Sequence, residues 1–273
     1  MSHVGPLWKG LRIAEHLLTG AGIATVVAAA QGLGYRLGWL DAVVCWWYRR
    51  LLRCLAVRLH VEGDVAGTSL LVANHVSWLD IPAIGSQAKV RFLSKAEVRR
   101  WPLIGWMSEL AGTVYLHRGA HRVAEAVADI RAQIEAGRLV AIFPEGTTSD
   151  GLEVLRFHPR LFAVCREGLA VQPVALRYGS GPRPDPVAPF LGEEDLLSHL
   201  WRMLRQPGME VRVSFLEPIP ASGLDRRRLA DRARQAIAVH LSHDRVGTRS
   251  RPGLGDSGAT ALVQGAAQPG NAA

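Results

Sequence analysis

The chain is most constrained where an apolar run stops abruptly at a pair of polar residues. Leu70-Leu71-Val72-Ala73 has the length and composition of a buried strand. Asn74 and His75 follow at once, and Asp80 and Pro82 come shortly after. Five residues of regular helix turn through about 500°, so His75 and Asp80 cannot share one helical face. They meet if His75 lies in the loop leaving the strand and Asp80 near the first turn of a helix that Pro82 helps to start. A carboxylate bonded to one imidazole nitrogen fixes the tautomer and leaves the other nitrogen free as a base. Such a dyad takes a proton from a hydroxyl. It needs no Ser or Cys nucleophile where that hydroxyl belongs to the substrate. The structural alternative is a hydrogen-bonded loop histidine with Asp80 as a helix cap.

The same pattern recurs about 70 residues further on, where residues 139–143 are apolar and run into Pro144-Glu145-Gly146-Thr147-Thr148-Ser149-Asp150-Gly151. Two strands that both end in polar loops suit a site at the carboxyl edge of an α/β sheet. Residues 57–63 alternate apolar and polar and read as a strand, as do 91–94, 112–116, 171–176 and 209–216. Residues 120–136 read as a helix with Val123, Val127, Ile130 and Ile134 on one stripe and Gly137 at its end. A short helix is expected over 159–168 and a final one over 224–241, with Leu229, Ala233 and Ile237 inward. Strands alternating with helices predict an α/β fold, a sheet of mixed strand direction flanked by helices. Residues 179–189, rich in Pro and Gly, read as a surface loop.

Residues 17–35 carry no charge. At about 1.5 Å per residue they nearly cross a bilayer core. Gly20, Gly22, Gln31, Gly32 and Gly34 dilute the run, and three readings stand: a short spanning or re-entrant helix, a cleavable signal ending near Ala28-Ala29-Ala30, or a core helix. Glu15 and the long stretch before the run count against a signal. Next come Trp39, Trp46, Trp47 and Tyr48, beside Arg49, Arg50, Arg53 and Arg58. Aromatics next to arginines suit the headgroup layer of a membrane; a core helix ending in a basic surface is the alternative. Basic residues on that side of the apolar run favour a cytoplasmic domain. The expected division is an N-terminal membrane-associating helical segment over 1–56, an α/β domain over 57–244, and a disordered tail from 245, where Gly, Ala, Ser and Pro dominate.

Thirty-two Lys and Arg against 24 Asp and Glu leave a net charge of +8, and Lys9, Lys89 and Lys95 are the only lysines. An anionic lipid surface fits this charge beside an apolar N-terminus, and no nucleic-acid motif accompanies it. An arginine-rich genome is the plain alternative. Cys45, Cys54 and Cys165 have no metal-binding spacing, and their odd number speaks against a disulfide framework, so a reducing compartment is expected. No metal site is expected from the histidines, which form no His-x3-His pair with a carboxylate nearby.

Over roughly residues 57–216, four blocks resemble, in order, those of the glycerolipid acyltransferases typified by bacterial 1-acyl-glycerol-3-phosphate (lysophosphatidic acid) acyltransferase. Asn74-His75-Val76-Ser77-Trp78-Leu79-Asp80 resembles the His-x4-Asp block. Gly112-Thr113-Val114-Tyr115-Leu116-His117-Arg118-Gly119 resembles the second, Phe143-Pro144-Glu145-Gly146-Thr147 the third, and Val171-Gln172-Pro173-Val174 the fourth. The resemblance implies a glycerol-phosphate acyltransferase-like fold with His75 and Asp80 as the catalytic pair. It implies that Lys95, Arg118, Gly119, Glu145, Gly146 and Thr147 contact substrate. The implied reaction moves a fatty acyl group from acyl-CoA or acyl carrier protein, a co-substrate and not a resident cofactor, to the free hydroxyl of 1-acyl-glycerol-3-phosphate. Phosphatidic acid for phospholipid biosynthesis would form at the cell inner membrane, with the domain on its cytoplasmic face. The implied partners are a lysophospholipid, the acyl carrier and the membrane surface, with no nucleic acid.

Two departures bear on the acceptor. The family's third block often continues Thr-Arg-Ser where this chain has Thr147-Thr148-Ser149, and the second often has Asp where His117 stands before Arg118. Neither touches the chemistry, but both leave the head group open. O-acylation of a lyso-ornithine lipid or another lysolipid is the near alternative, and a non-catalytic membrane-binding protein the distant one. Lys95 also reads as a solvated surface lysine, and Glu145 as a loop carboxylate bonded to backbone amides. Residues 101–107 read as an acyl groove or as core.

Overall fold

The computed structural model describes residues 5–67, 70–116, 120–165, 169–192 and 194–249. Helix α1, Pro6–Gly32, opens with proline at a position where its missing N–H goes unneeded. Ile13, His16, Gly20, Ala24 and Val27 recur at three- and four-residue spacing and form its buried face. Helix α2, Leu40–Cys54, packs on α1. A Cβ at Gly20 would stand 2.6 Å from a Met107 carbon and 2.8 Å from the Trp47 ring nitrogen. One of the glycines that dilutes the apolar run therefore permits a close helix crossing.

The chain then lays down β1 (Val57–Glu62), β2 (Leu70–Ala73), α3 (Asp80–Gly85), β3 (Val90–Lys95), α4 (Ile104–Leu110), β4 (Val114–Leu116), α5 (Ala120–Glu135) and β5 (Leu139–Ile142). After a 3-10 turn at Pro159–Val164 come β6 (Ala170–Tyr178), α6 (Leu196–Leu204), β7 (Met209–Phe215), β8 (Ile219–Pro220) and α7 (Arg226–Arg249). Among the described residues the strands form one sheet in the order β1-β7-β6-β2-β5-β3-β4, with β8 pairing on β6. The strands β4, β3, β5, β2 and β6 are mutually parallel, whereas β7 runs antiparallel to β6 and carries β1 with it. The mixed sheet expected from the alternation is present.

Strand β2 is buried on both faces because each face meets its own core. Leu71 and Ala73 join Leu52, Leu79 and Ile84 on the side of α2 and α3. Leu70 and Val72 join Ile130, Leu229 and Ile237 on the side of α5 and α7. A central strand with helices on both sides is continuously apolar for this reason. The parallel arrangement also gathers the exits of five strands at one edge, which brings sequence-distant loops into one place.

The helix α5 and its stripe lie as expected, Ile130 and Ile134 buried, with Val123 and Val127 packed beside them. Gly137 closes it at φ +72°, a conformation that favours glycine. Other bounds differ. β4 starts at Val114, β6 extends to Tyr178, and α4 and α6 occupy segments not expected as helices. α7 runs to Arg249, and the rest of the expected tail lies outside the described residues.

Candidate active site

His75 sits in the loop leaving β2, and Asp80 is the first residue of α3. The imidazole Nδ1 lies 2.7 Å from Asp80 Oδ2. That oxygen also accepts the Val76 N–H at 2.7 Å and the Ser77 N–H at 3.0 Å. The other oxygen, Oδ1, accepts the Tyr178 hydroxyl at 2.5 Å. Asp80 is wholly buried, and these donors offset the desolvation of its charge. A carboxylate only accepts, so Nδ1 carries the proton and Nε2 is left with its lone pair. The ring stacks on Phe143 with centroids 4.2 Å apart and planes at 18°, and it keeps 20% of its side-chain exposure. It is a held but reachable base.

Asn74 explains how the loop is held. Its side-chain oxygen accepts the Leu176 N–H at 2.8 Å and its amide donates to Leu176 O at 3.0 Å. This side chain continues the β2–β6 pairing one residue past the strand. Two residues beyond Leu176 on the same face of β6 stands Tyr178, whose hydroxyl then reaches Asp80. Neither residue was assigned a role from sequence. The position of Tyr178, an even number of residues from Val174 in the fourth block, is the signal that was there to use.

The third block forms the neighbouring wall. Gly146 turns the chain at φ +72°, with its N–H donating to Phe143 O at 3.1 Å and the His158 ring 3.2 Å from where a Cβ would lie. Ser149 donates to His75 O from its N–H at 2.8 Å and from its hydroxyl at 3.2 Å. Thr148 donates its hydroxyl to Phe190 O, and the Phe190 N–H donates to Val76 O at 3.0 Å. The exits of β2, β5 and β6 are thus bonded to one another around His75. Thr147 is exposed, and its N–H donates to no group among the described residues.

Glu145 is 4% exposed, and both carboxyl oxygens lack a completed hydrogen bond. Burial pushes its pKa up to about 8. The His75 and Leu155 amides face it and oppose the rise without meeting hydrogen-bond geometry, and the Asp80 charge adds to it. The backbone amides of His75 and Leu155 thus lie beside Glu145, the neighbours expected of a loop carboxylate. It is a buried acid beside the dyad, and burial favours its protonated form.

Lys95 is the exposed last residue of β3, opposite Leu116 at the end of β4, so it stands at the same sheet edge as His75. Arg118 and Gly119 lie outside the described residues. Among the described residues no cluster of three His, Cys, Asp or Glu side chains could hold a metal.

The sheet presents a partly exposed histidine, held by a buried aspartate, beside a glycine turn, an arrangement suited to taking a proton from a hydroxyl. Residues 57–177 match the acyltransferase family. A lyso-ornithine lipid O-acyltransferase of Pseudomonas aeruginosa is 47% identical over 208 residues, which are 76% of this chain and 81% of that protein. A 1-acyl-sn-glycerol-3-phosphate acyltransferase of Neisseria meningitidis is 34% identical over 178 residues, 64% of this chain and 70% of that one. The crystal structure of the 1-acyl-sn-glycerophosphate acyltransferase PlsC from Thermotoga maritima has the same fold, with a TM-score of 0.59 at 22% identity over 90% of this chain and 99% of that one. The chain belongs to this acyltransferase family, and it is an enzyme of lipid metabolism.

Proposed function

We propose that the protein transfers a fatty acyl group from a thioester, on coenzyme A or acyl carrier protein, to the hydroxyl of a lyso-ornithine lipid at a membrane surface. His75 Nε2 takes the hydroxyl proton as the oxygen attacks the thioester carbonyl. Asp80 holds the ring and stabilises the imidazolium. The oxyanion of the tetrahedral intermediate needs a donor. The Gly146 N–H is engaged with Phe143 O, so the free Thr147 N–H suits this role. Collapse breaks the carbon–sulfur bond, and the thiolate leaves with the proton held on His75. The products are an ester and a free thiol.

The observation that carries the acceptor assignment is Thr148. Where the family often has an arginine, this side chain is uncharged and spent on Phe190 O. The relative named for lyso-ornithine lipid is also the more similar of the two just described. Lysophosphatidic acid is the second reading, favoured by the name of the Neisseria relative and by Lys95 at the site edge. In that reading Arg118 and Lys95 grip the phosphate.

Membrane contact is supported by α1. It is 27 residues long and apolar enough, by length and composition, to cross a membrane. Leu7, Leu11 and Leu18 are 81%, 59% and 74% exposed. At about 100° per residue these three fall on one ridge, opposite the face buried on the protein. We assign that ridge to the lipid surface, on the cytoplasmic face of the inner membrane.

The test is release of free thiol by purified protein given acyl-CoA and either lyso-ornithine lipid or lysophosphatidic acid. A higher kcat/KM with lyso-ornithine lipid is expected. A clear preference for lysophosphatidic acid overturns the assignment in favour of the second reading.

A further inference from the structure

We infer that the cleft between the third-block loop and the segment following β6 is a head-group subsite for a zwitterionic acceptor, one bearing both a carboxylate and an ammonium. This rests on the lyso-ornithine reading above and gives it a place in the molecule.

The cleft has a volume of about 530 Å³ and is lined by Asp150, Arg183, Asp185, Glu194 and Arg202 among proline and leucine side chains. Its size is in the range of small-molecule sites. Its position follows from the sheet. Asp150 comes from the loop after β5 and the other four from the chain after β6, and both strands run parallel to β2. All three exits therefore open at the edge that holds His75. The walls are tied to the dyad loop on both sides, by Ser149 to His75 O and by Phe190 to Val76 O. The cleft therefore opens at the same sheet edge as the base that must reach the acceptor hydroxyl.

The charge pattern selects the ligand. Three carboxylates face two guanidiniums. Arg202 is occupied by Glu194 at 3.1 Å and by Pro189 O at 2.9 Å. Arg183 has no ion-pair partner among the described residues, nor do Asp150 and Asp185. The two aspartates are fixed by backbone: Asp150 Oδ1 accepts the Leu152 N–H at 2.9 Å, and Asp185 Oδ1 accepts the Val187 N–H at 2.7 Å. What remains is one unpaired cation beside two preset anions. A phosphate dianion would meet net negative charge here, whereas the free carboxylate and amine of an N-acylated ornithine both find partners of opposite charge. The carboxylate goes to Arg183 and the ammonium to Asp150 and Asp185.

Full-length Arg183→Ala and Asp150→Asn variants test this, with both acceptors and with Nα-acetylornithine as a soluble head-group probe. Arg183 is exposed, and Asn at 150 retains an oxygen for the Leu152 amide, so both variants should fold. For each, KM for lyso-ornithine lipid should rise roughly tenfold, as loss of a contact made equally in ground and transition states does. KM for acyl-CoA should hold. Nα-acetylornithine should compete with the lipid in wild type and lose potency in both variants. An unchanged KM for an efficiently used lyso-ornithine lipid overturns the subsite and leaves the acceptor reading standing. Equal losses with lysophosphatidic acid overturn it too, since the cleft then shapes the loop and not head-group choice. If wild type ignores lyso-ornithine lipid yet binds Nα-acetylornithine through Arg183, the subsite stands and the acceptor reading falls. If it binds neither, both fall.

Discussion

The Tyr178 hydroxyl donates to Asp80 Oδ1 at 2.5 Å, across 98 residues of sequence and in a fully buried setting. Burial and the Asp80 charge push the pKa of this phenol well above its usual value, so it remains a donor. Tyr178 thereby fixes the carboxylate that fixes His75.

Tyr178→Phe removes that donor and leaves a buried carboxylate oxygen unsatisfied. Unfolding stability should drop by about 1–3 kcal/mol. Turnover should fall on the order of tenfold, about 1.4 kcal/mol of transition-state stabilisation. KM for both substrates should change little, because the tyrosine touches neither. Denaturant titration and steady-state kinetics on the same preparation check this. A wild-type kcat with reduced stability would make the residue structural only.

The dyad itself gives the largest effects. His75→Ala should abolish transfer, since no second base is proposed. In Asp80→Asn an amide replaces an oxygen that accepts from Nδ1 or from Tyr178, so either the tautomer or the tyrosine contact is lost. By analogy with other His–carboxylate pairs, the loss should be on the order of 10⁴-fold in kcat. Retention of more than about a tenth of wild-type turnover by His75→Ala would falsify the mechanism, because a general base alone contributes about 10²–10⁴-fold.

Glu145 supplies a pH dependence. Its pKa in the folded protein, about 8, lies above the ordinary value of 4.5. Folding therefore favours the protonated form. The stability this lends is complete below about pH 4.5 and is lost as pH rises through about 8. Glu145→Gln keeps a neutral side chain of the same shape and should flatten that part of the stability curve. The difference should amount to a few kcal/mol, a tenfold change in proton affinity being about 1.4 kcal/mol. Urea midpoints for both proteins near pH 5 and pH 8.5 measure it. Parallel curves would show that Glu145 does not titrate in this range.

These residues also mark how far sequence reading reaches. The α5 stripe, the buried β2 and the turn from His75 to Asp80 were legible because periodicity and chain breaks encode them locally. Strand β6 was read over 171–176, short of the charged Arg177. In the structure Arg177 is buried and pairs with Asp244 at 2.7 Å, a partner 67 residues away. Helix α6 escaped notice although its side chains are strongly amphipathic and Asp195 caps it by accepting the Leu197 and Ser198 N–H groups. Tyr178 and the cleft charges act through contacts between loops that only the sheet order brings together.

The leucine ridge of α1 offers a test of membrane contact that leaves the fold in place. Removing α1 would also remove the Lys9 bond to Gln206 O at 2.5 Å and the Glu15–Arg50 pair at 2.7 Å, exposing the face that covers α2. Leu11→Asp with Leu18→Asp leaves that packing intact. Charged residues disfavour lipid insertion by about 2.5–3.5 kcal/mol at the core of a bilayer and less at its surface, so vesicle binding should weaken at least roughly tenfold. Co-sedimentation with anionic vesicles checks it, with circular dichroism as the folding control. Undiminished binding would move the contact elsewhere, to the exposed Trp39 and Trp46 beside the arginines of α2.

Thr148→Arg asks what the missing cation does. In the wild type the Thr148 hydroxyl ties the third-block loop to Phe190, and Phe190 in turn holds Val76 beside the dyad. The substitution restores the charge often found in this block and breaks the tie. A charge-assisted contact contributes about 1.5–3 kcal/mol, so KM for lysophosphatidic acid should fall roughly tenfold or more. The lost tie should lower Tm by a few degrees, about 2–4 °C per kcal/mol for a domain of this size. KM for lyso-ornithine lipid should rise, because a bulkier cation next to Asp150 competes with the ammonium for that carboxylate. Thiol release with both acceptors, measured on wild type and variant side by side, decides the matter. If the arginine improves neither acceptor, position 148 serves only to fasten the loop, and head-group choice belongs to other residues of the site.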